Sequence, residues 1–358
     1  RDETGITLRA LDLATPALEA QAQGQIGGTR GTLDLTAALT ELSLVDARMA
    51  GPARFDGGLA WEEGAPLRLT GARLDALSTR VDATGTLDLE NPDLPATGQV
   101  SIDARDLSAL AGLAGRPLAG ALELQADGAG DIHGRRIDAT VSATGTGLRS
   151  GIAQVDAVTG GTLRLETQAQ LGDGPPHLGN FRTVTRRLTA TASSPAPGEA
   201  IAVSARLSDL GLVAPGQSGP ARLDGTARVI DETGREIDLD LTLGGPGGAN
   251  ARVLGRVRDL ARTLALDLRG SLPLAIANSY IAPRAIQGPL GFNLRVDGPP
   301  RLASLSGEAR IENARVALPD LGRALQGLTG TLRLSGAQIT PDITGNLGSG
   351  GSLRVRGP

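Results

Sequence analysis

Hydrophobic and polar residues alternate with a period of two along most of this chain. In Gly330-Thr-Leu-Arg-Leu-Ser-Gly336 the leucines Leu332 and Leu334 fall on one side and Thr331, Arg333 and Ser335 on the other, the pattern of a half-buried β-strand. Glycine closes both ends of the phrase. It recurs as Gly31-Thr-Leu-Asp-Leu35, Gly85-Thr-Leu-Asp-Leu89 and Gly161-Thr-Leu-Arg-Leu165, with a serine variant at Gly351-Ser-Leu-Arg-Val355. The cleanest alternations are Glu236-Ile-Asp-Leu-Asp-Leu-Thr-Leu243 and Thr263-Leu-Ala-Leu-Asp-Leu268. Turn residues return often enough between such runs to predict an all-β chain.

Three stretches break the pattern. Asp106-Leu-Ser-Ala-Leu-Ala-Gly-Leu-Ala-Gly115 predicts a short helix capped by Asp106 and ended by Gly115 and Pro117. Similar units, each a short helical segment followed by proline, glycine and a strand, fall near 209–214 and 276–286. Glycine- and proline-rich loops are expected at Gly172–Gly179, Ser193–Gly198 and Gly244–Gly248, and hairpin turns at Gly57-Gly58 and Glu62-Glu63-Gly64. None of the loops reads as a domain linker. The expectation is one elongated segment over 1–358: a long sheet curled on itself, with a few short helices and its apolar face inside.

Composition decides what that inside contains. Only five of 358 residues are aromatic (three Phe, Trp61 and Tyr280), so a lining of Leu, Ala, Val and Ile must either pack solid or take its contents from elsewhere. The net charge is −4, the basic residues are all arginine, and they form no stripe, which argues against nucleic-acid binding. Without cysteine there is no disulfide or thiol chemistry. No apolar run is long enough to span a membrane as a helix. The chain opens in mid-phrase at Arg1, as an internal piece of a longer protein would.

Catalytic chemistry finds little footing. His133 and His177 both sit in turn-like settings and read as exposed loop residues, and no Gly-x-Ser-x-Gly elbow is present. The clusters Gly128-Ala-Gly130 and Gly145-Thr-Gly147 miss the dinucleotide spacing and read as turns. The pairs Asp127-Gly128 and Asp297-Gly298 read as hairpin turns and not as calcium ligands. The chain is read as a non-enzyme with no cofactor and no metal.

Several phrases together resemble the TamB family, the AsmA-like, inner-membrane-anchored periplasmic subunit of the translocation and assembly module. They are Gly288-Pro-Leu-Gly-Phe-Asn-Leu-Arg-Val-Asp-Gly-Pro-Pro300, Ile311-Glu-Asn-Ala-Arg-Val-Ala-Leu-Pro-Asp-Leu-Gly322, Gly327-Leu-Thr-Gly-Thr-Leu-Arg-Leu-Ser-Gly336, Gly345-Asn-Leu-Gly-Ser-Gly-Gly351 and Asp106-Leu-Ser-Ala-Leu-Ala-Gly-Leu-Ala-Gly-Arg-Pro-Leu-Ala-Gly120. The resemblance covers most of 106–358; the family's N-terminal anchor and C-terminal end are not in this sequence.

The resemblance implies a β-taco, an open trough that shields phospholipid acyl chains on their way from inner to outer membrane and supports outer-membrane protein assembly. It places the chain in the periplasm, with an Omp85-like outer-membrane protein of the TamA type as partner through the missing C-terminal part. Residues expected to line the trough are Leu122, Leu124, Leu163, Leu165, Ile237, Leu239, Leu241, Leu243, Leu264, Leu266, Leu268, Phe292, Leu294, Val296, Leu332, Leu334, Leu353 and Val355. Two acyl chains of some fifteen methylenes each would cost on the order of 24 kcal/mol in bare water, at about 0.8 kcal/mol per CH₂. Two other readings compete. One is a structural or adhesive β-solenoid with a solid core; the other is a scaffold that pairs with nascent strands through its sheet edges.

Overall fold

A computed structural model describes residues 6–133, 136–172, 177–231, 235–259, 261–319, 323–348 and 350–357. The all-β expectation holds: the described residues form twenty-three strands in antiparallel, open sheet with a few short helices. Contacts divide the chain into two compact units, Arg1–Thr189 and Ala190–Pro358.

The first unit is a meander of β1 (Ile6–Ala14), β2 (Leu18–Ile26), β3 (Arg30–Leu39), β4 (Ala53–Glu62), β5 (Leu67–Ala76), β6 (Thr79–Leu87), β7 (Pro95–Ala104), β8 (Ala119–Asp131), β9 (Arg136–Arg149), β10 (Thr162–Leu171) and β11 (His177–Thr185). Each strand pairs antiparallel with the next, and among the described residues β1 has no partner but β2. β12 (Leu188–Ser193) lies across the division.

The second unit repeats the plan with β13 (Ile201–Leu207), β14 (Ala221–Val229), β15 (Glu236–Gly244), β16 (Asn250–Arg258), β17 (Thr263–Pro273), β18 (Ala285–Gln287), β19 (Pro289–Gly298), β20 (Leu305–Leu318), β21 (Arg323–Ser335), β22 (Gln338–Leu347) and β23 (Ser352–Arg356). The order is sequential except that β17 pairs β19, while the three-residue β18 pairs the far end of β20.

In a meander every second connection falls at the same edge, and here that edge carries nearly all the helical segments. In the first unit it holds a 3-10 turn at Leu42–Leu44, the 3-10 turn Leu107–Leu110 running into α1 (Ala111–Ala114), and α2 (Ala153–Thr159). In the second it holds 3-10 turns at Leu210–Leu212 and Pro246–Gly248, and Leu274–Ala277 running into α3 (Asn278–Ile281). The three anticipated helical units are therefore present, although the last ends at Ile281 and gives way to β18. α2 was not anticipated.

An acidic side chain nucleates several of these turns. Asp106 Oδ1 accepts from Ser108 N at 2.9 Å, and Gly115 closes α1 at φ 64°. Asp209 Oδ1 accepts from both Gly211 N (3.0 Å) and Gly219 N (2.8 Å), tying the start of its loop to the end. Glu41 Oε1 does the same for Ser43 N and Gly51 N.

Four expectations are corrected, three of them about glycine. Gly57 and Gly58 lie inside β4; Gly128 and Gly130 lie inside β8, with Asp127 beside them; Gly145 and Gly147 lie inside β9; and Asp297-Gly298 is the last pair of β19. None makes a hairpin turn. The fourth is His177, which is the half-buried first residue of β11 and not a loop residue, its Nδ1 3.2 Å from Gln170 Oε1. His133 does lie in an exposed turn. Part of the Gly172–Gly179 loop, residues 173–176, lies outside the described residues.

Candidate functional site

Register turns the alternation of single strands into continuous rows. In the second unit Val203, Gly225, Leu241, Val253, Leu268, Leu294, Gly307, Leu334 and Ile339 stand opposite one another across nine strands. A second row runs Ile201, Ala227, Leu239, Gly255, Leu266, Val296 and Leu305, and a third contains Leu223, Leu243, Phe292 and Leu332. Opposite residues in a pair share a face, so the rows build one aliphatic surface. In the first unit the corresponding row is Leu13, Ala20, Ala37, Phe55, Leu74, Val81, Ile102, Leu124, Ala143, Leu165 and Thr183.

All eighteen residues named from the sequence fall on these faces. Leu122 and Leu163 flank Gly145, and Leu124 and Leu165 flank Ala143, in the first unit. Ile237 and Leu264 flank Val257, and Leu353 and Val355 stand opposite Gly345 and Ile343, in the second. Sequence reasoning missed many of their neighbours, among them Phe55, Val81, Ile102, Val253 and Leu305. The same two-residue period carries them.

The face is not filled by the chain itself. A closed chain of this size would expose about 13,000 Å², whereas this one exposes 21811 Å². Among the described residues no large side chain is fully buried, and Ile339 remains 55% and Leu171 49% exposed. A nine-residue strand contributes about 150 Å² of face, from about 4.8 Å of width and 3.4 Å per residue. Nine strands of the second unit thus span on the order of 1,300 Å² of face, its leucines mostly half-buried and Ile339 exposed. Among the described residues the buried cluster is small: Ile311, Ala314 and Leu328, packed against Leu274, Leu290 and Val316.

Glycines interrupt the rows at regular intervals. Gly225, Gly255 and Gly307 sit mid-strand at φ 156°, 132° and 126°, where other residues are strained. A Cβ there would be driven into the carbonyl oxygens of Asp240, Ala265 and Asn293 on the neighbouring strands. Only glycine lets the neighbouring backbone approach this closely.

The opposite face is ionic. Asp240 pairs with Arg252 at 2.9 Å, Asp238 with Arg256 at 3.0 Å, and Glu236 with Arg258, all across β15 and β16. In the first unit Arg73 pairs with Asp82 and Arg80 with Asp75. The Arg252 guanidinium holds the Asp240 carboxyl below the usual carboxylate range, and Arg356 with Arg354 does so for Asp342. A shallow depression on this face of the first unit is correspondingly polar, lined by Asp56, Arg73, Asp82, Ser101 and Gln125 among others. Among the described residues no three His, Asp or Glu side chains are gathered as a metal site, and no helix is long and apolar enough to cross a membrane.

Against this geometry, comparison with known proteins adds nothing: no family model, no curated protein and no solved structure matches the chain.

Proposed function

We propose that the chain is a periplasmic segment of a TamB-like bridge whose aliphatic faces shield phospholipid acyl chains between the inner and outer membranes. The observation that carries this reading is the extent of the face: rows of Leu, Val and Ile in register across nine strands, with no large side chain fully buried among the described residues. Removing an apolar chain from water is driven by area and is non-directional, so such a face holds a methylene chain at many equivalent positions. The ionic ladder on the other face keeps that side wetted. The family phrases supply the membranes, the TamA-type partner and the role in outer-membrane protein assembly. The competing solid-core solenoid requires an interior filled by the chain's own side chains, and the Ile311 cluster is too small to serve as one.

The test is native mass spectrometry, with lipid extraction, of the chain purified from bacterial cells. Co-purifying phospholipid is expected. A chain that carries none and also resists added lipid would rule the proposal out in favour of a structural role.

A further inference from the structure

The two edges of the first unit differ in charge in a way the aliphatic face does not explain. The loops at the helical edge carry Arg48, Arg105, Arg116, Arg149, Arg186 and Arg187 against Glu41, Asp46, Asp106 and Asp156. Each of those four acids is engaged within its own loop. Glu41 and Asp106 cap 3-10 turns, Asp46 is held by Arg48 at 2.7 Å, and Asp156 Oδ1 accepts from Ser150 N (2.6 Å) and Ser150 Oγ (2.8 Å). Arg116, Arg149, Arg186 and Arg187 are exposed and make no ion pair among the described residues. At the opposite edge the described loops carry Glu63, Asp88, Glu90 and Asp93, and the strand ends there add Arg30 and Arg136 against Glu62 and Asp131.

The same arginine-bearing edge projects apolar side chains. Leu44 is 63% and Val45 70% exposed in the β3–β4 loop, and Leu113, Ile152 and Val155 are exposed in loops further along the same edge. The loops touch in sequence along the edge: the position of a Cβ on Gly112 is taken by Arg48 O, Gly151 abuts Pro117, and Thr185 Oγ1 donates to Val158 O at 2.9 Å. The row spans about 34 Å from β4 to β11, at about 4.8 Å per strand.

We propose that this edge docks on an anionic lipid surface, the apolar tips entering the headgroup layer and the four unpaired arginines meeting the headgroup charges. Apolar knobs flanked by cations are what an interfacial site requires, and each arginine near an anionic leaflet adds to the attraction. A protein partner would be met by a pocket that accepts an anchor side chain; the depression described above lies on the polar face between β4 and β8, not at this edge. Leu89 and Ile132 at the other edge are exposed too, but they sit near carboxylates that such a surface repels. This docking is independent of acyl-chain uptake by the aliphatic face.

The experiment is flotation of the purified chain with vesicles of pure phosphatidylcholine and of phosphatidylcholine with a third phosphatidylglycerol. Association with the anionic vesicles alone is expected. It should weaken at least about 30-fold in R186E/R187E, a loss of about one cation's attraction per arginine, and fall steeply in high salt. L44S/V45S should weaken it too, with all variants melting like the parent. Absence of association, equal association with neutral vesicles, or indifference to the arginine variants and to salt would each overturn the proposal. Equal association with neutral vesicles would place the contact on the aliphatic face instead.

Discussion

Replacing Leu241 and Leu266 by Asp separates an open face from a closed core. Each leucine is half-buried, and each has a glycine beside it, Gly225 next to Leu241 and Gly255 next to Leu266. Full burial of a leucine is worth about 1.5–3 kcal/mol, so losing a half-buried one costs about 1–2 kcal/mol. Neither position is sealed, so the new carboxylate keeps part of its water. The two positions lie two strands apart, so their costs should add to about 2–4 kcal/mol, which an otherwise stable chain survives. An acyl chain laid over the same carboxylates would have to strip their water at a cost of several kcal/mol, and lipid occupancy should fall by at least about a hundredfold, since each 1.4 kcal/mol is a factor of ten. The assay is native mass spectrometry for bound lipid, paired with denaturant melts and circular dichroism on L241D, L266D and the double variant. Two results would refute the reasoning. Unfolding by either single variant would mean the leucines are sealed in a core, where an unpaired charge costs more than about 4 kcal/mol; a folded double variant with its full lipid complement would mean the face is not where lipid binds.

Other consequences follow from the glycines, the caps and the ionic ladder. Gly255→Ala should lose about 1–3 kcal/mol in a denaturant melt, because φ 132° is strained for alanine and its Cβ meets Ala265 O. Gly71→Ala, in open space with no positive φ, should stay within about 0.5 kcal/mol of the parent. Asp209→Ala should cost about 1–2 kcal/mol, since one carboxylate oxygen serves both Gly211 N and Gly219 N. The carboxyls of Asp240 and Asp342 titrate below their unfolded range, so their contribution is complete above that range and is lost as pH falls through the folded value. Melts between pH 6 and pH 2 should therefore show a loss of stability below about pH 4 that is shallower in Asp240→Asn and in high salt. A slope unchanged by that substitution would count against the ladder.

Much of this architecture was readable from period alone. An alternation such as Ile237, Leu239, Leu241, Leu243 against Glu236, Asp238, Asp240, Thr242 admits one local structure, and the structure places it in β15 with the polar set ion-paired to β16. Asp106 and Gly115 specified a short helix because a cap and a left-handed terminator are local interactions. α2 was hidden because its N-cap, Ile152, makes no side-chain capping bond; the helix is held instead by Asp156 reaching back to Ser150. Which strand stands beside which, and so the rows themselves, depends on long-range register that no single strand encodes.

The misread glycines carry the deeper lesson. Turns and close approaches of one strand's backbone to the next both favour glycine, so residue identity alone cannot tell them apart. Phase can. A turn resets the alternation, whereas Ala221, Leu223, Gly225, Ala227, Val229 keep their phase through the glycine, as do Phe55, Gly57, Leu59, Trp61. A glycine that preserves phase occupies an apolar position while contributing no side chain to it. The space is taken up by the neighbouring strand: at Gly225, Gly255, Gly270, Gly307 and Gly330 the position of a Cβ is filled by the backbone beside it. These close approaches recur along the rows, so a larger residue at any of them would force adjacent strands apart and disturb the register that aligns the leucines.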